Sequence, residues 1–455
     1  VPDSDPSSLT PGVDHTPATE IDIEPGRREW GSFFSVMFVQ TQNAFNDNIV
    51  KFTLIGMALA VAQGTWLGDK IVYVLGGLLP LPYILLAPVA GYLSDRISKR
   101  NVIIYCAIGQ VLIFTLTAAA VWFRSVEVAV VGFFLLAVQS TFLNPAKQGI
   151  LKELLGSKRL GSANGLLQMF TMFGIIAGIW LGGAWFDSLL QKYNTASGVS
   201  ADNAWRAAFV PITVIGGVSL LPLIASLFIK KTSPQKVAPF TPKLFGEHFQ
   251  HLGHVWSLPN LRNSAVGIAT YWFIAYIIGI LLVLFGEQMH PDTAAGGATS
   301  EASNMTIKIG IGMAIGSSLV SALSRKKINL ALVPLGGLGL SLGLAGTGLF
   351  AAGSTPFYLS LGFIGFSGGF FLVPLAAFLQ DEAEENQRGR VLSASALLTS
   401  LVAFIGIGVA MGLKSAGMSA SAQVMLLVPI MLIASFAAWK ILPGSKIRGD
   451  SEPQG

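Results

Sequence analysis

Long apolar stretches recur along the chain, separated by short polar or charged segments. Twelve of them are long enough to matter. In the first half they fall near 33–62, 70–93, 101–123, 126–151, 162–186 and 205–229; in the second, near 262–286, 304–323, 329–351, 355–380, 391–413 and 421–441. A helix needs about 20 mostly apolar residues to cross the hydrocarbon core of a bilayer. The pattern therefore predicts an all-α membrane protein with twelve transmembrane helices in two pseudo-symmetric six-helix bundles. The expected organisation is a disordered cytoplasmic tail (1–30), an N-terminal bundle (31–229), a cytoplasmic linker (230–260), a C-terminal bundle (261–441) and a second cytoplasmic tail (442–455).

Composition excludes the alternatives. Only 12% of the 455 residues are charged and 52% are hydrophobic, whereas soluble domains carry about 25% charged residues. The 51 glycines follow no three-residue period, so they read as helix-packing positions. The net charge of +5 comes from short scattered clusters rather than a continuous basic face, which argues against a nucleic-acid partner. A single cysteine, Cys106, excludes an intrachain disulfide. The first 25 or so residues lack the apolar core of a secretory signal. Lys and Arg gather in the tails and in alternate loops, among them Arg96, Lys99, Arg100, Lys152, Lys158, Arg159, Lys230, Lys231, Arg325, Lys326, Lys327, Arg388 and Arg390. By the positive-inside rule both termini are cytoplasmic, as an even number of spans requires.

The halves resemble each other at an offset near 230 residues. FLNPAKQGIL (142–151) matches FLVPLAAFLQ (371–380), with Pro145 over Pro374, and a charged loop follows each. The loop 94–100 has a degraded partner at 321–327. Duplicated six-helix halves joined by a linker are the layout of a rocking transporter with its site between them.

Two motifs carry chemistry. GYLSDRISKR (91–100) joins the second and third spans and resembles the signature loop of the major facilitator superfamily. There Gly91 would admit a close helix approach, and Asp95, with Arg96 and Arg100, would serve in gating; the alternative is a positive-inside loop with an incidental acid. In the first span, Gln40, Asn43, Asp47 and Lys51 lie within roughly 40° of one helical line. Asp47 and Lys51 have the favourable i,i+4 order for pairing. Charges at this depth are costly unless paired or wet, so the stripe is expected to face a hydrated cavity; a structural polar lock between helices is the competing account. Asn46, Asn48 and Thr53 sit on other faces and are expected to bond neighbouring helices.

FNDNIVK (45–51), PAKQGIL (145–151), SANGLLQ (162–168) and GGFFLVPLAAFLQ (368–380) look like the bacterial lysophospholipid transporter family. The resemblance covers most of the chain. It implies the major facilitator fold, movement of lysophospholipids such as lysophosphatidylethanolamine from the outer to the inner leaflet of the bacterial inner membrane, and a cytoplasmic acyltransferase as candidate partner alongside membrane lipids. It carries the first-span acid onto Asp47 and the basic residue after the fourth-span proline onto Lys147. Stand-alone members have a seventh-span arginine, whereas 271–285 has no basic residue; Lys51, common in fused members, is the candidate replacement.

The expected substrate-binding set is therefore Gln40, Asn43, Asp47, Lys51, Lys147, Gln148, Asn164 and Gln168, with gating by Gly91, Asp95, Arg96 and Arg100. Lys147 remains open between binding a phosphate, snorkelling and latching to Asp95. Gln148, Asn164 and Gln168 remain open between lining the cavity and joining helices. No cofactor and no metal are expected. His248, His251 and His254 recur every three residues, a spacing explained equally by an amphipathic linker helix. A proton-coupled carrier of a small polar solute or drug is the alternative function, with Asp47 as proton site. An acyltransferase enzyme finds no support, since no histidine has an aspartate four or five residues on.

Overall fold

The computed structural model describes residues 24–233, 243–292, 294, 296–323, 329–382 and 388–442. Among these the chain forms fourteen α-helices that provide twelve spans long and apolar enough to cross a membrane. The first span is α1 (Arg27–Val61). The second is α2 (Trp66–Leu78) followed by α3 (Pro80–Arg96), divided where Pro80 withholds a backbone N–H. The third is α4 (Lys99–Trp122). The fourth and fifth run through α5 (Val126–Ser197), which reverses at Gly156 with φ 73°, a left-handed conformation that glycine adopts without a Cβ penalty. The sixth is α6 (Ala201–Val218) with α7 (Leu220–Leu227). A linker helix, α8 (Lys243–Ser257), precedes α9 (Pro259–Met289), α10 (Ala298–Leu323), α11 (Leu332–Leu349), α12 (Thr355–Glu382), α13 (Arg388–Ser415) and α14 (Ala420–Ile441).

Two bundles result. In the first, α1 packs on α5, α6 and α7, and α4 on α5, α6 and α7; in the second, α9 packs on α10, α12, α13 and α14, and α11 on α12 and α14. They meet where α5 touches α10 and where α2 and α3 touch α13. The beginning of α1 and the end of α14 share one face of the molecule, here the terminal face, with the 97–98 turn, the ends of α7 and α12 and the start of α9. The opposite face carries the connections near 62–65, 123–125 and 198–200 and the end of α9.

Helix α1 starts at Arg27, inside the stretch read as a tail, and the fifth span continues to Ser197 rather than ending near 186. The second difference has a physical cause. Asp187 looks like the end of an apolar run, but it is 3% exposed and takes a hydrogen bond from the Ser300 backbone N–H at 2.7 Å, so its charge is met inside the protein.

Glycine does the packing that lipid cannot drive. Gly174, Gly178 and Gly182 recur every four residues along the fifth span and press against α1. A Cβ at Gly174 would overlap the Thr41 carbonyl oxygen, one at Gly178 the Phe45 carbonyl oxygen, and one at Gly182 would stand 2.9 Å from Ile49 Cα. In the second bundle Gly312 and Gly316 abut the backbone of α12, while Gly365 and Gly369 abut that of α10.

Gly178→Leu is expected to destabilise the protein by about 3 kcal/mol or to abolish folding, read as loss of the monodisperse peak on heating in detergent. Gly109→Leu, where a Cβ meets nothing within 4 Å, is expected to behave as wild type. Equal behaviour of the two variants would refute the α1–α5 contact.

Candidate functional site

The polar stripe of α1 is held by a hydrogen-bond network spanning three helices. Gln110 on α4 donates Nε2–H to Asn43 Oδ1 at 3.0 Å. Asn43 Nδ2 donates to Ser140 Oγ at 2.8 Å and to Asp47 Oδ2 at 3.2 Å. Ser140, on the fourth-span part of α5, donates its hydroxyl to the same Asp47 oxygen at 2.8 Å. One carboxylate oxygen is thus fixed by two donors. The other, Asp47 Oδ1, is buried and has no protein partner.

The ion pair anticipated between Asp47 and Lys51 is not formed. Ion pairs among the described residues are Lys99–Glu153, Arg124–Asp202 and Lys230–Glu29. The cation acting on the Asp47 carboxylate is Lys147 of α5, across the space between two helices. Ser140 and Asn43 hold the acid by hydrogen bonds, Ser140 from the fourth span. Lys51 and Lys147 are both half-buried, and neither ammonium has a hydrogen bond or ion pair among the described residues. The latch from Lys147 to Asp95 is likewise not made.

Further polar atoms accumulate on α1. Gln40 Oε1, both side-chain polar atoms of Gln42 and both of Asn46 are buried without a protein partner. The expectation that Asn46, Asn48 and Thr53 bond neighbouring helices does not hold. Asn46 and Thr53 have no hydrogen-bond partner among the described residues, and Asn48 returns its Nδ2–H to the Ala44 carbonyl of its own helix at 2.8 Å. An unsatisfied buried polar group costs about 1–3 kcal/mol, so this concentration marks a surface made for polar contact rather than for helix packing. Tyr83 of α3 and Tyr276 of α9 stand within electrostatic reach of each other, and Tyr83 within reach of Asp47. Both bundles therefore contribute to one region. Tyr276 continues a row of rings, Tyr271, Trp272 and Tyr276, with centroids 5.7 and 6.1 Å apart.

Other expected members lie apart. Gln148 is exposed and donates to Asn144 Oδ1 at 3.3 Å, within its own helix. The side chains of Asn164, Gln168, His248, His251 and His254 lie outside the described residues, as do 325–327. In the signature loop, Arg96 donates to the Tyr92 hydroxyl at 2.7 Å and Arg100 to the Leu227 carbonyl at 2.9 Å. Asp95 has no hydrogen bond or ion pair among the described residues, and a Cβ at Gly91 would meet nothing within 4 Å. The close approach expected at Gly91 is absent from this conformation. The buried anchor of the loop is instead Lys99, 5% exposed, paired with Glu153 at 2.6 Å.

The bundles are fastened at the opposite face. Asp187 accepts from Ser300 N–H in the first turn of α10, placing an anion at a helix N-terminus. Ser303 Oγ donates to the Ile179 carbonyl at 2.9 Å, and Asn194 Nδ2 to the Ala294 carbonyl at 2.8 Å. Gly183 gives the room, since a Cβ there would overlap Ser303 Oγ. Sequence reading missed Gln110, Ser140, Tyr83 and Asp187. The first two were visible as polar residues within apolar runs; Asp187 was hidden by the misplaced end of the fifth span.

The family model of the Major Facilitator Superfamily matches residues 33–407. The chain belongs to the Major Facilitator Superfamily. It is 28% identical over 354 residues to the lysophospholipid transporter LplT of Citrobacter koseri, covering 77% of this chain and 80% of that one. It is 29% identical over 363 residues to LplT of Cronobacter sakazakii, covering 78% and 83%. Among solved structures, a bacterial homolog of the human lysosomal transporter Spinster, inward-facing and unoccupied, aligns with TM-score 0.66 at 16% identity, covering 93% of this chain and 99% of that one. This last likeness shows the fold. The twelve spans in two bundles are those of the superfamily, a family of transporters rather than enzymes.

Asp187→Ala removes the cross-bundle cap of α10, worth about 1 kcal/mol. A cysteine placed at Thr299 is expected to react about fivefold faster with a water-soluble maleimide in this variant than in the parent. Cys106 is buried and serves as silent background. Unchanged labelling would mean that Asp187 does not hold the seam.

Proposed function

We propose that the protein carries lysophospholipids, such as lysophosphatidylethanolamine, from the outer to the inner leaflet of the bacterial inner membrane by alternating access. The observation that supports this most directly is a set of charges left without full pairing: Asp47 Oδ1 without a protein donor, Lys51 without an ion pair among the described residues, and Lys147 acting on Asp47 only at a distance. A zwitterionic headgroup supplies the missing partners. Its ammonium meets Asp47 and the Gln40 Oε1 acceptor, and its phosphate meets the lysines. The acyl chain stays against apolar helix surface, so only the head requires a polar path. Similarity to transporters named for lysophospholipids supports the substrate class.

The direction rests on the charge pattern. The terminal face carries the basic loops, which supports a cytoplasmic position for it. There a reacylating enzyme would consume the arriving lysophospholipid and keep its concentration low, so the leaflet gradient drives net movement without a coupling ion. In the conformation described here the bundles are fastened at the opposite face while Gly91 and Asp95 stand disengaged. Asp95 would engage when the terminal side closes.

The test is leaflet transfer of lysophosphatidylethanolamine in reconstituted vesicles. Asp47→Asn keeps shape but loses charge, and transfer is expected to fall about tenfold or more. Ser140→Ala, which frees the carboxylate from one donor, is expected to cost about fivefold. An uncoupler is expected to have no effect. Transfer by Asp47→Asn at the wild-type rate would remove the stripe from the mechanism. Collapse with an uncoupler, together with indifference to acyl-chain length, would favour a proton-coupled carrier of a small polar solute instead.

A further inference from the structure

Two grooves on the outer surface repeat each other across the duplication. One, of about 570 Å³, lies between the start of α1 and helix α7. Its α1 wall is Arg28, Gly31, Ser35 and Phe38, a stripe at helical spacing, and α7 supplies Leu221, Ile224 and the following Phe228. The other, of about 500 Å³, lies between the start of α9 and helix α14, with Phe371 and Leu375 of α12 also lining it. Its α9 wall includes Arg262, Val266 and Thr270, and α14 supplies Ile430, Ile433 and Ala437. The helices concerned are the first and last spans of each bundle, so the grooves occupy equivalent places. Even the hydroxyls correspond: Ser35 donates back to Gly31 and Thr270 back to Val266.

Each groove has one cationic end and a long apolar remainder. Arg28 is exposed, in the first turn of α1, and its guanidinium has no hydrogen bond among the described residues. Arg262, in the first turn of α9, spends only Nε, on Asn263 Oδ1 at 3.5 Å. Both lie at the terminal face, in the first turns of spans long and apolar enough to cross a membrane. From there the apolar walls descend toward mid-membrane and point outward, with Ile224 at 52%, Phe228 at 72% and Ile433 at 70% exposure. Trp256, half-exposed, stands at the Arg262 end, the usual depth of an interfacial tryptophan.

We propose that these grooves are a pair of phospholipid-binding sites. Each holds a phospholipid of the leaflet at the terminal face, its phosphate on Arg28 or Arg262 and one acyl chain along the neighbouring terminal helix of the bundle. The sites are separate from the region between the bundles and do not rest on the proposed substrate. A lipid in each position bridges the first and last spans of one bundle, and in the second groove also touches the end of the linker helix at Trp256. The duplication explains the number, one per half.

The experiment is native mass spectrometry of the detergent-purified full chain titrated with phosphatidylglycerol. Two lipids per chain are expected to bind ahead of any further uptake. Arg28→Gln and Arg262→Gln are each expected to weaken one of the two steps about fivefold, and the double variant both. Gly31→Leu, at a position where a Cβ meets nothing within 4 Å, and Val266→Trp fill the apolar parts and are expected to displace the same lipids with the arginines intact. Arg206→Gln, an exposed residue of the opposite face, is expected to retain both. Wild-type binding by the double arginine variant, or graded uptake with no break after two lipids, would overturn the proposal.

Discussion

A polar atom at hydrocarbon depth has no bulk water to fall back on, and most of this molecule is arranged around that constraint. Helix α1 carries Gln40, Gln42, Asn43, Asn46, Asp47 and Lys51 within about three turns. Only part of this load is discharged inside the protein, through Gln110 and Ser140. The remainder has no protein partner among the described residues, and near Asp47 it is Lys147 and Tyr83 that come within electrostatic reach. Spans that must present such groups cannot be shielded by lipid, so the bundle has to enclose them.

Enclosure requires close packing without a hydrophobic drive, because a lipid tail is as apolar as leucine. The Gly174, Gly178 and Gly182 ridge brings the fifth span onto the backbone of α1, and the next residue, Gly183, brings the same span against α10 of the other bundle. One helix thus couples the site-bearing span to the seam between the halves. Asp187, one turn further on, adds a charge-assisted bond to a helix N-terminus. The contacts across the seam, Asp187 with Ser300 and Ser303 with Ile179, are polar and local.

The first and last spans of each bundle meet lipid on their outer sides, and there the demand is reversed. Apolar side chains line the grooves there, and each groove has one arginine at its terminal-face end. The duplicated architecture places ionic chemistry in two distinct settings, one enclosed between bundles and one open to the annulus. The enclosed setting carries both signs of charge, whereas each groove carries one cation.

The number of spans, their division into two related halves and the polar line Gln40–Asn43–Asp47–Lys51 were legible in the chain because helix periodicity and bilayer thickness are local rules. Even the importance of glycine followed from composition alone. Pairing was not legible. Asp47 and Lys51 share a helical face, yet the acid is drawn to Ser140, 93 positions away, and toward Lys147, because donors from another helix settle which way a carboxylate turns. For the same reason Asp187 read as the end of a span. A charge marks a boundary only when nothing meets it, and what meets it here is the first turn of α10, 113 residues further along. Sequence dictated which segments enter the membrane; packing decided which of their polar atoms are satisfied and which are left for another molecule.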